Sequence, residues 1–221
     1  SIDITPEVPS RLSGMTNNNI SQGIHNRLEI NAMVLNQNEK LIYIVSIDTL
    51  FISKELKNII VKEIQKYNCS VLEKDILIIS THTHYAPSLE EKRIELGAKD
   101  DAYFSFLSNK ILDLFKLLKL ESFKDIEMEV SSGKTDNLTS NRRRKVRTFG
   151  AFFKPFIAME PNLKGYKNEE FKIIKILEAN NNKHILGVIW TFPCHPTNLF
   201  DGKLISAEFP GEVRSEIRKK Q

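Results

Sequence analysis

Between Lys40 and Ser80 the chain passes from an apolar, β-branched segment through an amphipathic one to a second apolar segment, and that order leaves few folds open. Lys40 to Ile47 reads as a strand. Ser53, followed by Lys54, Glu55 and Leu56, is a helix start, and Leu56, Ile59, Ile60 and Ile64 recur at helical spacing up to about Tyr67. Asp75 to Ser80, centred on Ile76-Leu77-Ile78-Ile79, is short, apolar and β-branched and reads as a buried strand. Strand, helix, strand is the unit that builds a parallel sheet, because parallel neighbours need a long crossover between them.

The flanking segments add antiparallel pairing. Leu28 to Leu35 alternates apolar and polar residues, and Asn36-Gln37-Asn38-Glu39 supplies turn chemistry before Lys40. An antiparallel hairpin is expected there. A second helix is expected from about Asp100 to Leu120, with Phe104, Leu107, Ile111, Leu114, Phe115 and Leu118 on one stripe. Strands follow at Ile126 to Ser132, Glu170 to Leu177 and His184 to Phe192, the last two joined by a turn at Asn180-Asn181-Asn182, and Gly211 to Lys219 reads as a closing helix. Gly133 to Gly165 reads as long and mostly irregular, a length usually reserved for functional or disordered loops. The expectation is an α/β fold with a mixed β-sheet and helices packed on it, as a single domain over residues 1–221.

Composition narrows the partners. The 32 basic and 28 acidic side chains leave a net charge of only +4, too little to argue for a polyanionic partner. Cys69 and Cys194 are too few for a disulfide framework. No stretch approaches the run of about 18 apolar residues that a membrane-spanning helix needs. Ser1 to Pro6 shows no basic-then-apolar signal layout. The chain as it stands suits the cytoplasm, and a trimmed leader would instead make it secreted or periplasmic. Oligomeric state is left open.

Chemistry concentrates at three strand ends. Ser80-Thr81-His82-Thr83-His84 directly follows the Ile76 to Ser80 strand, and alternate strand residues project to one side, so His82 and His84 should point together. Carboxyl ends of strands are where open α/β sheets place their ligand sites. Imidazole is both the commonest metal ligand and the proton carrier suited to neutral pH. Pro193-Cys194-His195-Pro196-Thr197-Asn198 follows another β-branched strand, and the flanking prolines hold His195 in one orientation. Cys194 should point away from it. Ser206, in Leu204-Ile205-Ser206-Ala207-Glu208-Phe209-Pro210-Gly211, is either a nucleophile or a residue of the approach to a helix; its setting is not the G-x-S-x-G elbow of α/β-hydrolases. Asn141-Arg142-Arg143-Arg144-Lys145-Val146-Arg147 is a basic run near Phe149, Phe152 and Phe153. Arginine beside aromatic residues can hold single-stranded nucleic acid, yet no recognisable module surrounds the run, and nucleic-acid binding is not expected.

Taken in order, these blocks resemble the neutral/alkaline non-lysosomal ceramidases. Asp3-Ile4-Thr5-Pro6, Gly23-Ile24-His25-Asn26-Arg27-Leu28 and Val45-Ser46-Ile47-Asp48 are similar to that family's D-I-T-P, G-x-H-x-R and V-S-x-D segments. Thr81-His82-Thr83-His84 resembles its T-H-T-H signature, the most specific of the set. Asn141-Arg142 resembles the start of its N-R-S-P turn, His195-Pro196-Thr197 its V-H-x-T, and Ile205-Ser206-Ala207-Glu208 its I-S-G-D.

The resemblance implies the fold of the ceramidase N-terminal catalytic domain and a hydrolase acting on a linear amide. It implies Zn2+ held by His82 and His195, with His84 lining the pocket and protonating the scissile amide. Arg142 would anchor a polar substrate group, since a guanidinium can grip a carboxylate or phosphate by two parallel hydrogen bonds. Ser206 falls where the family has its proposed catalytic serine, and attack by that serine or by zinc-activated water both stay open. The family adds a Glu and a Tyr to its zinc site beyond the V-H-x-T block; neither has a counterpart in these residues, which leaves two readings open, a third ligand from within the chain or a fragment shortened at its C-terminal end. Catalytic zinc takes three protein ligands, and within the chain Asp48 ranks first as the third, ahead of Glu208. Tyr85-Ala86-Pro87-Ser88 replaces a glycine-rich stretch, and Arg143-Arg144 replaces the Ser-Pro of N-R-S-P. The small-molecule N-acyl substrate is accordingly ceramide-like or more polar. The alternative is a catalytically inactive ligand-binding module on the same fold.

Overall fold

A computed structural model of the chain describes residues 1–14, 19–92, 94–118, 122–146, 156–180, 184–198 and 202–220. These fall into two compact units, one formed by Ser1–Phe123 with His195–Gln221 and the other by Lys124–Cys194. The first unit opens with β1 (Ile2–Asp3), β2 (Gly23–Ile24), β3 (Glu29–Gln37), β4 (Lys40–Ile47), α1 (Lys54–Tyr67), β5 (Ile76–Ser80) and α2 (Asp101–Leu117). The second holds β6 (Ile126–Lys134), β7 (Asn141–Val146), β8 (Phe156–Asn162), β9 (Glu170–Glu178) and β10 (Ile185–Thr191). The chain then returns to the first unit with β11 (Leu204–Ile205) and α3 (Glu208–Lys219).

The hairpin forms as the sequence predicts. Gln37 faces Lys40, so only Asn38 and Glu39 make the turn, both at positive φ (51° and 68°). That backbone matches the twist of the flanking strands. β4 and β5 pair in parallel, Tyr43 opposite Ile76 through Ile47 opposite Ser80, with α1 as the crossover. The sheet order β1-β3-β4-β5 is therefore mixed, and the expected α/β fold with a mixed sheet is present.

Both long helices begin where a side chain can accept a free backbone N–H. Ser53 Oγ accepts from the Leu56 amide at 3.1 Å, and Asp100 accepts from the Tyr103 amide at 2.9 Å. Leu56, Ile60 and Ile64 of α1 and Leu107, Ile111, Leu114 and Phe115 of α2 bury one stripe each, sharing a core with Ile30, Val45 and Ile47. α3 starts at Glu208, before the Gly211 the sequence suggests. Pro210 sits in its first turn, where the missing N–H costs nothing. No described helix is long and apolar enough to cross a membrane.

Two expectations need correction. β5 is covered on one face only: Ile76 and Ile78 pack against the core, whereas Leu77 is 52% and Ile79 41% exposed. β5 is the last strand of its sheet, and apolar β-branched composition alone does not report how many faces are covered. The stretch read as irregular, Gly133 to Gly165, contains the antiparallel pair β7–β8. A strand of sequence Asn-Arg-Arg-Arg-Lys-Val lacks apolar alternation, so its pairing rests on the backbone ladder. The other three second-unit strands form the antiparallel sheet β10-β9-β6. Asn180 has the positive φ (68°) of a turn; Asn181 and Asn182 lie outside the described residues.

Candidate metal centre

The segment after β5 does not wander. The Thr81 amide donates to Ile47 O and the His82 amide to Thr49 O, both at 3.0 Å, so this segment continues alongside the one that follows β4. His82 itself has φ 67°, a left-handed backbone uncommon outside glycine but one that histidine adopts more readily than most residues. Thr83 and Tyr85 are fully buried on the opposite side. The Thr83 hydroxyl donates to Ser206 O at 2.6 Å, and the Ser206 amide donates to Tyr85 O at 3.0 Å. Those bonds, with the parallel pairing of β11 and β2, dock the segment around Ser206 against the histidine-bearing one.

With Thr83 and Tyr85 pinned inward, His82 and His84 project together as expected, their ring centroids 5.3 Å apart. His195 completes a triangle, at 5.1 Å from His82 and 4.7 Å from His84. One nitrogen from each ring lies within 4.8 Å of the other two. Among the described residues this is the one group of three or more His, Cys, Asp or Glu side chains close enough to share a metal ion.

Proton positions follow from the outer partners. His82 Nδ1 donates to the Leu50 carbonyl and His84 Nδ1 to the Gly14 carbonyl, each at 2.9 Å. A carbonyl only accepts, so both rings carry a proton on Nδ1, and in the neutral ring that leaves the lone pair on Nε2. His195 Nδ1 meets the Thr197 hydroxyl at 3.0 Å. Oriented imidazoles with the far nitrogen hydrogen-bonded are the usual supports of a metal site, and three of them match the protein ligand set of catalytic zinc. The residues present fit such an ion. Phe51 packs edge-on against His82, with centroids 5.3 Å apart, and fixes that ring from another side.

The remaining candidates are not members of this group. Asp48, ranked as third ligand, is not in the group. It is 1% exposed, with its carboxylate taken by Arg214 (2.7 and 3.3 Å) and by the Glu29 amide (2.8 Å). Burial pushes the Asp48 carboxyl up, and the Arg214 guanidinium opposes that. Glu208 Oε2 accepts from the Asn198 amide at 2.8 Å. His84, expected to line the pocket and handle protons, is the third member of the group.

Ser206 is fully buried. Its hydroxyl donates to Asn26 Oδ1 and accepts from the Glu208 amide, both at 2.9 Å, and lies 3.4 Å from His25 Nδ1. Arg142 is an exposed residue of the second unit, at the irregularity in the β7–β8 ladder between Asn141 and Arg143. Arg147, Phe149, Phe152 and Phe153 lie outside the described residues. Burial pushes the Cys194 thiol up, away from the thiolate form a nucleophile needs. Sequence reasoning missed Gly14 and Leu50, which act through backbone carbonyls and leave no side-chain signal. Thr197 was visible in the His-Pro-Thr block but without a role.

Among solved structures the chain resembles neutral ceramidase from Pseudomonas aeruginosa, with TM-score 0.71 and 19% identity over 95% of this chain and 33% of that one. It also resembles a ceramidase complexed with C2, with TM-score 0.69 and 17% identity over 95% of this chain and 32% of that one. At these identities the likeness speaks for the fold, and the chain spans about a third of the length of the structures it matches. Comparison with curated proteins finds no matching sequence. The family profile described as neutral/alkaline non-lysosomal ceramidase, N-terminal, matches residues 1–214, so the chain belongs to the neutral/alkaline non-lysosomal ceramidase family.

Proposed function

We propose that this chain carries the metal-binding histidines of a zinc-dependent amidohydrolase that cleaves a linear N-acyl bond, in a ceramide-like or more polar small molecule. The observation that carries the reading is the convergence of His82, His84 and His195, two of them with Nδ1 locked onto backbone carbonyls. Lewis acidity toward an amide carbonyl and acidification of water are the chemistry such an ion supplies when bound.

The chain's own residues prepare for it. Leu50 and Gly14 hold a proton of His82 and His84 on Nδ1, which leaves Nε2 as the nitrogen to bind a metal in the neutral ring, and Thr197 orients His195. We assign the Ser206 hydroxyl to holding the start of α3 rather than to attack, because it is buried and engaged by Asn26 and Glu208. Arg142 is kept as the proposed anchor for a carboxylate or phosphate on the substrate.

Elemental analysis of the purified chain, together with hydrolysis assays on N-acyl sphingoid and N-acyl amino acid substrates, tests the reading. One equivalent of zinc is expected in the parent, and none in the variant with His82→Ala, His84→Ala and His195→Ala combined. A folded triple variant that keeps its zinc overturns the site. Zinc binding without hydrolysis of any N-acyl substrate favours the ligand-binding alternative.

A further inference from the structure

The β7–β8 hairpin has two unlike faces. Residues directly opposite each other on antiparallel strands put their side chains on the same side. Arg143 is opposite Met159 and Lys145 opposite Ile157, so these four share a face. Arg144, Val146, Phe156, Ala158 and Glu160 belong to the other, where Arg144 pairs with Glu160 at 3.5 Å. On that second face Val146, Ala158 and Glu160 are half-buried and Arg144 and Phe156 exposed, whereas all four residues of the first face are exposed, Ile157 by 67% and Met159 by 66%.

A strand face left to water ordinarily carries polar side chains. This one alternates cations with large apolar groups and bears no carboxylate, because the hairpin's one acid, Glu160, lies on the other side. Arg143 reaches across to Met159, its Nη1 3.2 Å from the sulfur, so the cationic stem and the thioether form one surface. Long cationic side chains can keep their charged ends at a polar boundary while their stems lie in an apolar layer. A bilayer with anionic headgroups offers both layers at once: phosphates for Arg143 and Lys145, and the acyl boundary for Ile157 and Met159. Nucleic acid would answer the charge, but sequence-tolerant strand binding needs aromatic planes for the bases to stack on. The apolar members of this face are aliphatic.

We propose that the face formed by Arg143, Lys145, Ile157 and Met159 docks the protein on an anionic lipid surface. The proposal is independent of the metal centre.

Vesicle flotation with the full chain tests it, using vesicles of phosphatidylcholine with or without one-third phosphatidylglycerol. Binding to the anionic vesicles only is expected. Each cation near such a surface is worth about a fivefold change in partitioning, so Arg143→Gln with Lys145→Gln should weaken binding roughly twentyfold. Ile157→Ser with Met159→Ser should weaken it as well, whereas Arg144→Gln on the opposite face should change it by no more than one charge's worth. Ile157→Trp adds a probe that needs no loss of function, and its emission, read against the parent, should shift to the blue on adding anionic vesicles. Absence of vesicle binding overturns the proposal, as does an unshifted Ile157→Trp. So does binding of a single-stranded oligonucleotide that depends on Arg143 and Lys145, with the Ile157→Ser and Met159→Ser pair left without effect on vesicles.

Discussion

The Gly14 carbonyl accepts the Nδ1 proton of His84 at 2.9 Å, and a Cβ built on residue 14 would lie 2.3 Å from that same nitrogen. With φ at +82°, residue 14 also has a backbone that side chains rarely adopt. Gly14→Ala should therefore cost about 1–3 kcal/mol from the backbone and displace the His84 ring. Thermal unfolding should shift down by several degrees, and zinc affinity measured by competition with a chelator should fall about tenfold or more. Unchanged zinc affinity would remove Gly14 from the site.

Thr197 meets His195 Nδ1 from outside the three-histidine group. Thr197→Val should weaken zinc binding by about 10- to 100-fold, the usual effect of losing an outer hydrogen bond, with little change in unfolding temperature. Thr197→Ser keeps the hydroxyl and should restore most of the affinity. If Val and Ser behave alike, the 3.0 Å contact does not orient His195.

Arg214 engages the Asp48 carboxylate, so charge and metal should separate. Arg214 is 17% and Asp48 1% exposed at the side chain. Arg214→Met leaves a buried carboxylate without its cation, which should cost about 3–5 kcal/mol in denaturant unfolding. Asp48→Asn should unfold more easily yet bind its full equivalent of zinc. Loss of zinc from a folded Asp48→Asn variant would return that residue to the ligand set.

Ser206→Ala separates holding from attack. Removing the hydroxyl leaves the buried Glu208 amide without its acceptor and should cost about 1–3 kcal/mol. Activity per folded molecule, assayed well below the unfolding temperature, should stay near the parent's. A drop of several hundredfold in kcat with stability intact would restore the nucleophile reading.

Glu29 sets an acid limb. Burial pushes its carboxyl up, but hydrogen bonding to Arg218 and the charges of Arg214 and Arg218 outweigh that and hold it below its ordinary value of 4.5. A carboxyl lowered in the folded state contributes stability that is fully present above the unfolded value and is lost as pH falls through the folded one. Unfolding temperature should thus decline below about pH 4.5, and Glu29→Gln should flatten that decline while lowering the plateau near neutrality. An unchanged acid limb in the variant would assign it to other groups.

Most elements of the first unit were legible because each has a local cause. Apolar spacing in α1 and α2, their caps at Ser53 and Asp100, and the Asn38-Glu39 turn all act within a few residues. β7 and β8 were not legible, since a run of arginines becomes a strand only when a partner ladder is beside it. The one-sided covering of β5 was hidden for a similar reason: neighbouring elements, not composition, decide which faces of a strand meet water.

Within the candidate site, the sequence by itself determined that imidazoles stand at positions 82, 84 and 195, close after strand-forming segments. Only the tertiary structure decided that His84 rather than Asp48 joins the other two. Asp48 is already claimed by Arg214 from a helix far along the chain, while the Gly14 carbonyl turns the His84 ring toward its neighbours. Side-chain type is written residue by residue, but which partner satisfies a buried charge or an imidazole N–H depends on segments that meet only in the folded chain.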